Sequence, residues 1–69
     1  MNVDSCNRIL AAGGNLIVGT MNADSLVRLA ETAAQHKVHL TVRGTMNVDS
    51  IIRIIRAGKG HVTFDVSGA

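Results

Sequence analysis

Aromatic side chains are almost missing from this chain: it has one Phe, no Trp and no Tyr. The core must therefore be aliphatic, and no aromatic platform exists on which the bases of a nucleic acid could stack. Cysteine occurs once, which excludes an internal disulfide and with it the cross-linked framework of small secreted domains. No apolar run approaches the roughly 18–20 residues of a membrane-spanning helix. The first residues, MNVDSCNR, lack the basic-then-apolar order of a secretion signal, so a reducing cytoplasm is the expected setting. Charge of one sign is scarce as well. Seven Lys+Arg against five Asp+Glu leave +2, too mild an excess to point to nucleic acid.

What the chain does have is repetition. At 69 residues and 46% hydrophobic content it is too apolar for disorder, yet a chain of this size buries only about 60% of its unfolded surface. MNVDSCNRIL begins at Met1, MNADSLVRLA at Met21 and MNVDSIIRII at Met46. All three share Met, Asn, Asp, Ser and Arg at the same offsets, and they close on LIVGT, LTVRGT and FDVSGA. The expected organisation is one domain of three units, 1–20, 21–45 and 46–69.

Each unit reads as a helix followed by a strand. Leu26, Leu29, Ala30 and Ala33 fall at i, i+3, i+4 and i+7, one apolar stripe of an amphipathic helix; Ile51, Ile54 and Ile55 repeat it. Val38, Leu40 and Val42 alternate with His39, Thr41 and Arg43, and Val62, Phe64 and Val66 with Thr63, Asp65 and Ser67, the period of a half-buried strand. Unit 1 is the imperfect copy, with Asn7 where the others carry Val27 and Ile52. The repeated residues suit structural roles. Asn2, Asn22 and Asn47 are placed as helix N-caps, with Met21–Leu26 and Met46–Ile51 as hydrophobic staples. Asp4, Asp24 and Asp49 fall in first turns, where negative charge suits the helix dipole. Each also precedes an arginine by four residues, so the pairs Asp4–Arg8, Asp24–Arg28 and Asp49–Arg53 are expected within their own helices. Glycines at 13–14 and in Ala57-Gly58-Lys59-Gly60 suit left-handed helix ends.

Each candidate site has a plainer explanation beside it. The turns Gly19-Thr20-Met21-Asn22 and Gly44-Thr45-Met46-Asn47 would sit where strands run into helix N-termini, a place anions favour. Thr20, Asn22, Thr45 and Asn47 are thus the candidate anion-binding residues, although the Asn caps consume N–H donors and the nearby Asp repels phosphate. Ala-Gly-Lys-Gly at 57–60 has the composition of a phosphate loop but leads from helix to strand, the wrong order. His36, His39, His61 and Cys6 do not complete a metal set, and Cys6 sits at a core position. Ser5, Ser25 and Ser50 have no histidine placed beside them for nucleophilic catalysis. Arg8, Arg28, Arg53, Arg56, Lys37 and Lys59 could form a basic outer ladder, but the aspartates offset it. No catalytic residue, metal or cofactor is therefore expected.

From Ala23 onward the chain resembles the HPr-type phosphocarrier proteins. ADSLVRLAETAAQHKVHLTVRG is similar to that family's first helix and following strand, and SIIRIIRAGKGHVTFDVSG to its second helix, glycine loop and last central strand. The resemblance implies phosphotransfer through a histidine before the first helix, in a His-Ala-Arg-Pro context. Here that segment is Gly19-Thr20-Met21-Asn22, with neither the histidine nor the Arg-Pro. The family's regulatory serine would fall at Ser50, a serine this chain repeats in every unit. The family's third helix has no counterpart, so phosphotransfer is not expected.

The expected fold is a two-layer α/β domain, three helices on one face of a small three-stranded sheet. Right-handed crossovers through the helices would make the strands parallel. Ile17, His39, Thr41, Arg43 and Asp65 would then lie on the uncovered face, a candidate binding face, and both sheet edges would be open. Three such repeats without capping units are marginal alone, and self-association is the natural remedy. The expected function is a non-catalytic module for self-assembly or protein binding, its partner a second copy or another protein. Alternatives are anion or nucleotide binding at the strand-to-helix turns, or a small phage- or plasmid-type inhibitor of a host protein. Repetition this regular also fits an engineered sequence with no evolved function.

Overall fold

A computed structural model describes residues 2–66; Met1 and the closing Ser67-Gly68-Ala69 lie outside the described residues. Helix and strand alternate as α1 (Val3–Ala11), β1 (Leu16–Gly19), α2 (Ala23–His36), β2 (Leu40–Arg43), α3 (Val48–Gly58) and β3 (Val62–Asp65). Every helix starts in the same way. The asparagine before it is extended, and its Oδ1 accepts from the backbone N–H three residues on: Asn2 from Ser5 at 2.8 Å, Asn22 from Ser25 at 3.0 Å, Asn47 from Ser50 at 2.9 Å. Each bond satisfies a donor that the helix leaves orphaned.

The first helix ends as expected, with Gly13 at φ 97° just past its cap, but the other two depart from the glycine rule. Lys37 (φ 57°) and Lys59 (φ 48°) take the left-handed cap conformation after α2 and α3, a region disfavoured for any residue with a Cβ. At the end of α3, Gly58 cannot take that place because it is the last helical residue and packs directly on β3. A methyl group added to Gly58 would overlap Val62 Cγ2. The left-handed turn falls one residue later, on Lys59.

The strands are all parallel in the order β1-β2-β3, with Leu16, Leu40 and Val62 in one register row and Gly19, Arg43 and Asp65 in another. Parallel neighbours need a crossover, which α2 and α3 supply. Among the strand residues, Leu40, Val42 and Val62 are buried, and Leu16, Val18 and Phe64 pack against the same core as Cys6, Leu10, Leu26, Leu29, Ala30, Ala33 and Ile54. All these strand residues share one parity, so the helices cover one face of the sheet. This is the two-layer, open-sheet α/β architecture expected from the repeat.

Candidate interaction surface

The uncovered sheet face carries Ile17, Thr41, Arg43, Thr63 and Asp65, with His39 just before β2. Arg43 Nε lies 3.8 Å from Asp65 Oδ2 across the register row. His39 Nε2 hydrogen-bonds Thr63 Oγ1 at 2.7 Å, and its backbone N–H donates to Asn15 Oδ1 at 2.8 Å. Arg43 with Asp65 and His39 with Thr63 are thus engaged across the face, while Ile17 stands out of the row at 63% exposure.

The second candidate, the strand-to-helix turns, places Thr20, Asn22, Thr45 and Asn47 on the exposed rim. Asn22 and Asn47 spend their side-chain oxygens on Ser25 and Ser50, and Asp24 and Asp49 stand in the same first turns. Both features reduce what the rim offers an anion. The serines lie at this end too, whereas His36, His39 and His61 lie at the opposite end, where helices finish and strands begin. A helix of 14 residues such as α2 separates the two ends, about 21 Å at 1.5 Å per residue. Cys6 is buried in the core, and His61 Nδ1 bonds the Val38 carbonyl at 3.0 Å. Among the described residues no group of three His, Cys, Asp or Glu could hold a metal ion.

The repeated charges do something the spacing did not foretell. The ion pairs join neighbouring helices: Asp4 with Arg28 at 3.5 Å, and Asp24 with Arg53. Four residues turn a helix by about 400°, so Asp and Arg straddle the outer ridge, the Asp leaning towards the next helix and the Arg towards the previous one. The expected pairs within each helix are replaced by a ladder offset by one repeat. Its two ends, Arg8 on α1 and Asp49 on α3, are in no salt bridge among the described residues. A second contact follows the same offset, for Thr32 Oγ1 on α2 donates to Asn7 Oδ1 on α1. Asn7, the misfit of unit 1, therefore has a partner.

The outer flanks of the helix layer are the remaining surface. On α3, the flank turned away from α2 exposes Val48 (68%), Ile52 (42%) and Ile55 (37%). At the other end, Ser5, Arg8 and Ile9 of α1 and its C-cap Ala12 line an open groove of about 420 Å³. Neither flank was singled out from the sequence. A signal was present, since Val48, Ile52 and Ile55 form a second apolar stripe at i, i+4 and i+7 beside the core stripe. Only the order of the helices shows that no element among the described residues covers it. Compared with family models, curated proteins and solved structures, the chain matches none of them.

Proposed function

We propose that the chain is a non-catalytic αβ-repeat module that works by self-assembly or by binding another protein through the open ends of its repeat stack. The observation that carries this reading is the apolar flank of α3. Three large aliphatic side chains stand in solvent on one helix face, whereas the same face of α2 is covered by α3. Burying apolar surface is worth about 25 cal/mol per Å², and contiguous exposed apolar area marks interaction surfaces. The separation of the serines from the histidines supports a non-catalytic role. The Asn caps and first-turn aspartates favour this reading over anion binding at the rim.

Sedimentation equilibrium from low micromolar to near-millimolar concentration tests it. The expected result is a mass that rises with concentration. A chain that stays monomeric throughout, and whose Ile52→Arg variant is no more soluble, would sink the self-assembly reading and leave only a different protein as partner for the α3 flank.

A further inference from the structure

We propose that copies of the chain associate head to tail, the α3–β3 end of one seating on the α1–β1 end of the next, so that the repeat continues across the junction. This rests on the self-assembly reading above and adds to it a geometry, a partner and a set of contacts. The occupant of the α3 flank is the α1 groove of a second copy.

The two junctions inside the chain already specify a third. At each, the Asp in the first turn of one helix pairs with the Arg in the middle of the next, Asp4 with Arg28 and Asp24 with Arg53. Continuing the rule, Asp49 meets Arg8 of the next copy, which are the two charges left over at the ends of the ladder. At the first junction Asn7 meets Thr32, polar against polar. The same offset brings Val27 and Ala57, both partly buried against the core, to the second junction and would set Ile52 against Ala12 of the next copy, apolar against apolar. Ala12 and Arg8 line the α1 groove together with Ser5 and Ile9, which are the same two offsets that receive Asp and its neighbour at the internal junctions. The two surfaces thus match in charge and in polarity.

The strands obey a rule of their own. Leu16 N–H donates to the His39 carbonyl at 3.1 Å, and Leu40 N–H to the His61 carbonyl at 2.9 Å. The next bond in the series runs from Val62 N–H to the Asn15 carbonyl of the following copy, with Val62 opposite Leu16 in the register that Leu16, Leu40 and Val62 already share. The pairing is parallel, as every pairing in the sheet is. Because the two surfaces are different, the contact is heterologous and generates rings or open filaments.

Two blocked chains test this. Ile52→Arg spoils the α3 flank and leaves the α1 groove intact; Ala12→Arg fills the groove and leaves the flank intact. Both positions are exposed, and circular dichroism checks that each variant folds. Each alone should be monomeric, and their equimolar mixture should give a one-to-one heterodimer that grows no further. If Ala12→Arg still associates like the parent, or the mixture stays monomeric while the parent assembles, the head-to-tail geometry is overturned and self-assembly stands. A monomeric parent overturns self-assembly itself. The charge pair supplies a second arm. Asp49→Arg should weaken association about two- to fivefold, the size of an exposed ion pair, and adding Arg8→Asp in the same chain should restore it. Failure of the exchange to restore it counts against the register.

Discussion

The central repeat and the two outer ones use nearly the same residues and end in different states. Leu26, Leu29, Ala30, Leu40 and Val42 of the central repeat have no exposed surface. At the matching positions of the outer repeats, Cys6, Leu10, Ile54 and Val62 are buried as well, but Leu16, Val18, Ile9, Ile51 and Phe64 are only half-buried and Ile55 is exposed. The difference lies in neighbours, since a repeat of this kind cannot bury its own apolar face and borrows cover from those beside it. Burial here depends on place in the stack as well as on the side chain.

Core truncation should separate the two regions most widely. Leu40→Ala is expected to cost about 2–5 kcal/mol, enough to unfold much of a domain this small, and Leu16→Ala roughly half of that. Urea denaturation followed by circular dichroism, in the Ile52→Arg background to keep the chain monomeric, measures both. Equal costs would show that the outer strand is as enclosed as the central one. Gly58→Ala comes next. Ala33 is tolerated at the matching position of α2, but a methyl at 58 meets Val62 Cγ2 and Cβ; a loss of about 1–3 kcal/mol is expected from overpacking.

Smaller effects should appear at the helix ends. Lys37→Gly and Lys59→Gly each relieve a left-handed cap and should stabilise by roughly 0.5–1 kcal/mol, visible as a rise in Tm. The finest test compares Asp24→Asn with Asp49→Asn. Both weaken the same favourable charge at a helix N-terminus, but in the monomer only Asp24 has an arginine across the junction. The difference, at most about 1 kcal/mol for so exposed a pair, isolates the cross-helix contact and should shrink with added salt. Equal costs for the two variants would mean that the ladder contributes nothing to the fold.

Much of this was legible in the chain before its structure. The repeat gave helix, strand, cap and layer, because asparagine caps, apolar stripes and period-two strands are local properties. What escaped was everything that depends on which element lies beside which. Asp24 precedes Arg28 by four residues, and that spacing looks the same whether the pair closes within one helix or opens to its neighbours. Asn7 was a flaw in a pattern until Thr32 stood opposite it. Gly58 is needed not for a cap but for its close approach to Val62, a contact across the αβ junction, and the left-handed cap falls on Lys59. The stripe of Val48, Ile52 and Ile55 was on the page as spacing, but whether it was core or surface depended on α3 being the last helix of the layer.

One consequence concerns shape. Packed helices lie roughly 8–10 Å apart, hydrogen-bonded strands only about 4.8 Å. Each repeat contributes one of each, so each repeat is a wedge, broad on the helix side and narrow on the strand side. Wedges laid side by side make an arch with the helices on its outer curve. The sheet face that no helix covers, with His39, Thr41, Arg43 and Asp65, is its concave side, and every added repeat would bend that polar surface further inward upon itself.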